Sequence, residues 1–203
     1  MAEQGRWVLG ITGASGAVYG VRLLELLVQF GVEVDLVCSE AGRIVVREET
    51  GIDLSGESPS GNNLDQELRL KGSAVQYYRN SDLINPLSSG SSRRAGMVIA
   101  PCSMGTLAAL SQGLADNLIR RSADVMIKQK RPLILLPRET PLSAIHLENM
   151  LRLARLGVVI LPPMPAFYHK PESLEDLVDF VVGRVLDVMG IDHHLYRRWQ
   201  DEL

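Results

Sequence analysis

Three observations predict a doubly wound, Rossmann-like α/β fold, with a mostly parallel sheet and helices on both faces. Strand-like and helix-like segments alternate along the chain, the main strand-like runs are continuously apolar, and the motif-bearing loops follow strands. A strand covered on both faces loses the polar alternation of a half-exposed one, so continuous apolar runs point to a buried parallel sheet. The 203 residues fit a single domain spanning 1–203, with no internal repeat and no firm boundary.

The elements follow in order. Arg6–Ile11 reads as a buried strand, and a glycine-rich turn follows it. Ala17–Phe30 is predicted helical, with Val21, Leu24, Leu27 and Val28 on one face and Gly31 as its stop. Val32–Cys38 alternates and reads as a less buried strand, and Glu40–Thr50 reads as helix. Gly51–Asn80 opens as a loop by composition, with a short helix expected over Leu64–Lys71. Ser88–Ser92 precedes a strong strand, Met97–Pro101, and is assigned as a site loop rather than a linker. Leu107–Leu110 and Leu118–Ile127 fit helices, the second capped by Asp116. Pro132–Pro137 is a continuous apolar strand, Leu142–Leu156 a helix ended by Gly157, and Val158–Leu161 a further buried strand. Ser173 caps a final helix whose apolar face is Leu174, Leu177, Val178, Val181, Val185 and Leu186.

Composition removes several function classes. Hydrophobic residues at 46% and charged residues at 22% are a globular balance, which excludes global disorder. A net charge of −3 excludes a broadly basic nucleic-acid binder, and 5% aromatics leave little for base stacking. Two cysteines, Cys38 and Cys102, are too few for a disulfide framework or a four-cysteine metal site, and suit a cytoplasmic protein. The uncharged stretch 7–21 is too short and glycine-studded to span a membrane, and it lacks the layout of a signal peptide.

Four loops carry chemistry, and since ligands of such sheets bind beyond the carboxyl ends of the strands, all are expected on one edge. T-G-A-S-G, Thr12–Gly16, joins the first strand to the first helix. Backbone N–H groups at a helix start suit a phosphate, although a tight turn would use the same residues. P-C-S-M-G-T, Pro101–Thr106, repeats the arrangement with Ser103 and Thr106 as added donors. Cys102 is assigned to the core rather than to catalysis, because no histidine neighbours it in sequence. Arg120 and Arg131 read as solvated surface. P-R-E-T-P, Pro137–Pro141, follows a buried strand and would project Arg138 and Glu139 at the ligand edge. Arg138 suits a bidentate grip on phosphate, and Glu139 beside that phosphate would be raised in pKa and able to transfer a proton. A surface salt bridge is the alternative for this pair. P-P-M-P-A-F-Y-H-K-P, Pro162–Pro171, is a stiff loop presenting Phe167, Tyr168 and His169, either as a pocket wall or as a subunit contact. His193 and His194 lack metal-ligand spacing, so they read as surface or interface residues and the tail from about 191 as a candidate oligomer contact. No metal is implied. Together these readings give an anion-binding α/β domain, without a reaction type.

T-G-A-S-G-A-x-Y-G, S-S-G-S, P-C-S-x-G-T-L, A-D-V-x-x-K-x-x-R-P-L, P-R-E-T-P-L, H-L-x-x-M and P-P-x-P-A-F-Y-H-x-P occur in this order. In this the chain closely resembles the UbiX flavin prenyltransferases, from Trp7 to about Ile191. The resemblance implies an enzyme that joins a dimethylallyl group from dimethylallyl phosphate to reduced FMN, at flavin N5 and C6, without a metal. The product would be the prenylated FMN of UbiD-type decarboxylases, a step associated with ubiquinone biosynthesis. It implies a homo-oligomer, commonly a dodecamer, with flavin sites at subunit interfaces. By motif, FMN would meet Gly13, Ala14, Ser15, Ser39, Ser103, Met104, Gly105, Thr106 and Arg138. The prenyl phosphate would meet Ser89, Gly90, Arg121, Lys128, Arg138, Glu139, Tyr168 and Arg184. Ser15, Glu49 and Glu139 would take part in the chemistry. Some members carry a tryptophan before the S-S-G-S loop, and the corresponding place here is Leu83 or a residue near it. An FMN-dependent decarboxylase and a non-catalytic FMN carrier for a decarboxylase are the alternatives; a carrier has no use for a second cationic pocket.

Overall fold

The computed structural model describes residues 5–54 and 74–199. Its centre is a six-stranded sheet of β1 (Trp7–Ile11), β2 (Val34–Cys38), β3 (Val75–Arg79), β4 (Gly96–Cys102), β5 (Leu133–Pro137) and β6 (Val159–Ile160). The spatial order is β3-β2-β1-β4-β5-β6 and every pairing is parallel. The chain winds outward from β1 to β3, then crosses to β4 and winds the other way. The crossing leaves a crevice between the carboxyl ends of β1 and β4, the place where such sheets hold ligands.

The helices are α1 (Ala17–Gln29), α2 (Glu40–Thr50), α3 (Met104–Ser111), α4 (Leu118–Lys128), α5 (Ala144–Arg155) and α6 (Leu174–Met189). They cover both faces of the sheet. On one face Leu9, Ile11, Leu36 and Ile134 pack against Leu24 and Leu27 of α1 and Val181 and Val185 of α6. On the other, Val8, Met97, Ile99 and Leu135 pack against Leu107 of α3, Ile119 and Met126 of α4 and Leu153 of α5. Each such fully buried aliphatic side chain contributes roughly 1.5–3 kcal/mol relative to exposure. The helix entering from each face is therefore fixed firmly enough to aim its terminal loop.

β1, β4 and β5 are the strands that the continuous apolar runs predict, and all their residues are buried. β2, expected to be less buried than β1, is buried along its whole length. β3 falls at the end of Gly51–Asn80, where the sequence assigns no element. It is a sheet-edge strand, V-Q-Y-Y-R, whose last four residues are half-buried or exposed, so neither an apolar run nor a long alternation marks it. The helix expected over Leu64–Lys71 lies outside the described residues. β6 is a two-residue, half-buried strand rather than a buried four-residue one. The cap of α4 is Asn117, whose side chain accepts from the Arg120 N–H at 3.1 Å. Asp116, expected there, instead accepts through both carboxylate oxygens from Arg120 Nη1 at 2.8 and 2.9 Å.

Candidate active site

The first site group stands in the crevice. The Thr12 hydroxyl donates to the Pro101 carbonyl at 2.8 Å and accepts from the Ser103 N–H at 2.7 Å. This buried side chain locks the loop after β1 to the loop after β4. Gly13 is required by packing, since a Cβ there would lie 2.4 Å from Cβ of Ala41. Ser39 follows β2 and caps α2 by accepting from the Gly42 N–H at 3.0 Å. Arg138, after β5, donates from Nε to the Ser15 carbonyl at 3.0 Å. Gly13, Ala14, Ser15, Ser39, Ser103–Thr106 and Arg138 thus share one edge, as the strand–loop pattern predicts.

The two helix starts in this group differ. Two phosphate-ready helix starts were expected, but that of α1 is already occupied. The Glu49 carboxylate accepts from the Gly16 N–H at 3.1 and 2.9 Å and from the Ala17 N–H at 2.7 Å. With no acidic residue in its own first turn, α1 takes its counter-charge from the end of α2. That contact also brings Glu49 beside Ser15. At α3, Ser103 caps the helix by accepting from the Thr106 N–H at 3.3 Å, and its hydroxyl lies 3.1 Å from Oγ1 of Thr106. Gly105 is exposed there and has open space around its Cβ position. The α3 start is the stronger candidate for a phosphate.

Glu139 is exposed beside Arg138, and its Oε1 accepts from the Thr140 N–H at 3.0 Å. Cys102 is wholly buried, and burial pushes its thiol up to about 12, as it does for Cys38. Both stay protonated at neutral pH, which removes a thiolate mechanism, as the core assignment of Cys102 expects. Among the described residues no three His, Cys, Asp or Glu side chains group to hold a metal ion, and no helix is long and apolar enough to cross a membrane.

A second group lies away from that edge; its serine loop leads into β4 and is not among the four loops expected to converge there. The connection from β3 to β4 runs down the side of α4. Leu118 N–H donates to the Asn80 carbonyl at 2.8 Å, Arg121 Nε to the Ser88 carbonyl at 3.1 Å, and Arg131 to the carbonyls of Gly90 and Ser92 at 3.0 and 2.6 Å. Arg131 immediately precedes β5, so Gly90 and Ser92 sit toward the amino edge of the sheet. Ser89, Gly90, Arg121 and Lys128 therefore belong together along α4. Arg131, read as solvated surface, is instead a half-buried brace of the serine loop. A second brace comes from β2. Asp35 has no exposed surface and pairs with Arg6 at 2.9 Å and with Arg94, whose Nη1 reaches the Ser92 hydroxyl at 3.1 Å.

A third group is on the opposite face. Tyr168 stands edge-on to Phe180 of α6 with ring centroids 5.9 Å apart, and Arg184 projects from α6 with Nη1 2.7 Å from Asp187. α4 and α6 cover different faces of the sheet. One chain consequently does not bring Arg121 and Lys128 together with Arg184. His193, read as surface or interface, is 5% exposed and lies 3.2 Å from Asp187. Thr12 opens the T-G-A-S-G motif, but its lock to Ser103 is not legible there, and Asp35, Arg94 and Asp187 were not singled out. Of these three, Asp35 carried a signal, a charge inside a strand whose neighbours are apolar.

With the crevice and the three groups in place, comparison with known proteins defines the class. The flavoprotein family model matches residues 1–186, so the chain is a member of that family. Within it the likeness is narrower. A relative from Halalkalibacterium halodurans, named flavin prenyltransferase UbiX, is 48% identical over 199 residues, covering 98% of this chain and 95% of that one. The structure of AnUbiX in complex with FMN and dimethylallyl pyrophosphate superposes with a TM-score of 0.88 at 42% identity, covering 99% of this chain and all of that one. A dodecameric FMN-dependent UbiX-like decarboxylase from Escherichia coli O157:H7 gives 0.86 at 43%, covering 96% and 99%. The chain belongs to the UbiX flavin prenyltransferase family.

Proposed function

We propose that this enzyme transfers the dimethylallyl group of dimethylallyl monophosphate to reduced FMN, with bonds to flavin N5 and C6. The product would be a prenylated FMN handed to a UbiD-type decarboxylase. The observation that carries the reading is the Thr12–Ser103 lock at the β1/β4 crevice. It holds an open α3 start, Ser15, Glu49 and Arg138 around one space, and the AnUbiX relative binds FMN and a prenyl pyrophosphate.

The residues divide the work. Met104 and Gly105 at the α3 start, with Ser103 and Thr106, would hold the flavin phosphate through N–H and hydroxyl groups. Gly13, Ala14, Ser39 and Arg138 would line the flavin, and Ser15 and Glu49 would face its reacting edge, where the N5 proton must leave as a C–N bond forms. The bound flavin supplies the electron-rich ring that captures the allylic carbon. Breaking the allylic C–O bond leaves negative charge on the phosphate. Arg121, Lys128, Arg138 and Arg184 would stabilise that charge, each contributing ~2–4 kcal/mol in a preorganised site. Guanidinium and ammonium groups would here do the work that a divalent ion does elsewhere. Ser89, Gly90 and Tyr168 would position the ester, and Glu139 would share its proton with it.

Because α4 and α6 lie on opposite sheet faces, a complete cation set requires a second copy of the chain. This supports a homo-oligomer with sites between subunits, and the dodecameric Escherichia coli relative supports twelve copies. Two free, buried cysteines suit a reducing cytoplasm. The test is to mix chelator-treated protein with reduced FMN and dimethylallyl monophosphate, and in parallel the diphosphate. The reading requires a new flavin absorbance and a mass increase of one dimethylallyl unit with the monophosphate. No adduct with either donor, or an adduct only after a divalent ion is restored, would overturn it. Release of carbon dioxide from a carboxylate in place of an adduct would favour the decarboxylase reading.

A further inference from the structure

We propose that Asp187 is a positioning residue, the hub of a clamp by which the segment after α6 fixes Arg184 and Tyr168. The proposal rests on the reading that those two residues meet the prenyl phosphate.

Asp187 gathers four donors on one carboxylate. Its Oδ2 accepts from Arg184 Nη1 and from the Tyr196 hydroxyl, each at 2.7 Å. Its Oδ1 accepts from Arg198 Nη2 at 2.7 Å and lies 3.2 Å from His193 Nε2. The Leu195 N–H donates to His193 Nδ1 at 3.2 Å, which leaves the ring proton on Nε2 and makes the histidine a donor to Asp187 without requiring a charge. A carboxylate has about four lone-pair sites, so the set is complete. Burial alone would raise the pKa of Asp187. The Arg198 and Tyr196 hydrogen bonds and the charge of Arg198 outweigh it and hold the group below the usual aspartate range.

Three of the four donors come from residues 193–198, so the carboxylate ties that segment onto α6. Shape supports the same contact. A Cβ on Gly183 would lie 2.5 Å from Cε1 of Tyr196 and 2.7 Å from Cε1 of His193, so both rings sit in a notch that the glycine leaves in α6. The segment then reaches the other residue. Tyr196 packs on Phe180 at 4.8 Å between centroids, and Trp199 stands edge-on to Tyr168 at 5.2 Å. Arg184 is otherwise half exposed, and a long exposed guanidinium samples many rotamers. Held by Asp187 through one terminal nitrogen, it keeps one direction. Catalysis gains when a charge is oriented before the reaction rather than during it.

The experiment uses the full chain and dimethylallyl monophosphate as the probe. Asp187→Asn, Tyr196→Phe and Gly183→Ala are each compared with the wild type and again in an Arg184→Ala/Tyr168→Phe background, which removes both groups the clamp positions. Gly183→Ala removes no polar group and displaces the rings by volume, so it tests the clamp if Asp187→Asn fails to fold. Each single variant should lower kcat/KM for the prenyl phosphate about 10-fold, leave FMN affinity unchanged, and add no further loss in that double background. Losses that multiply with the double background would make the clamp a stability element and overturn the proposal, as would wild-type kcat/KM in all three variants. Absence of any flavin adduct in the wild type would instead remove the proposed function itself.

Discussion

Glu139 and the two cysteines show how differently neighbouring residue types behave at the loops of this fold. Glu139 is exposed next to Arg138 and, among the described residues, accepts from the Thr140 N–H. A carboxylate there would repel a phosphate ester unless the two share a proton. Glu139→Gln keeps the shape and should bind FMN and prenyl phosphate normally. It should slow the first C–N bond-forming step by about 10²-fold, the usual size of a general acid–base contribution. Single-turnover absorbance of reduced FMN isolates that step, and a wild-type rate would remove proton transfer from the account. Cys38 and Cys102 are the opposite case. With burial pushing both thiols up to about 12, the native protein should not react with a thiol reagent at pH 8, and both groups should react once the chain is unfolded. Prompt labelling of either one in the native state would contradict the burial. Asp35 and Arg94 pair across 59 residues of sequence, and no local pattern announces such a partner.

At the scale of elements, legibility followed burial. β1, β4 and β5 are apolar throughout because both faces are covered, so their sequences exclude other readings. β3 at the sheet edge and the short β6 meet solvent, and their mixed composition carries no such mark. The turn residues after β1, β4 and β5 could be assigned to one edge because a parallel strand fixes where its following loop emerges. The Ser88–Ser92 loop could not, since its course down α4 depends on carbonyl contacts to Arg121 and Arg131. The start of α4 is a similar case, with two adjacent capping residues of which the structure uses Asn117. Asn117→Ala should therefore cost about 1 kcal/mol, and Asp116→Ala much less, because the latter loses an exposed ion pair and an exposed 3.3 Å hydrogen bond from the Asn117 amide. Urea unfolding midpoints check the order, and an equal or larger loss for Asp116→Ala would return the cap to Asp116.

For the whole molecule, the decisive feature is that the proposed phosphate-binding cations stand on two faces of one sheet. Arg121 and Lys128 belong to α4, Arg184 belongs to α6, and their helices pack into separate cores. The proposed reaction therefore needs surfaces from more than one chain, and oligomerisation becomes part of the chemistry. The direct measurement is complementation. Arg121→Ala and Arg184→Ala variants are each purified, assayed for flavin adduct formation, then mixed under conditions that exchange subunits. Each variant alone should be nearly inactive. In a random one-to-one assembly about a quarter of the sites draw Arg121 and Arg184 from unmutated positions, so about a quarter of wild-type activity should return. A mixture that stays as inactive as its parts would place both residues in sites built from one chain and would contradict the account.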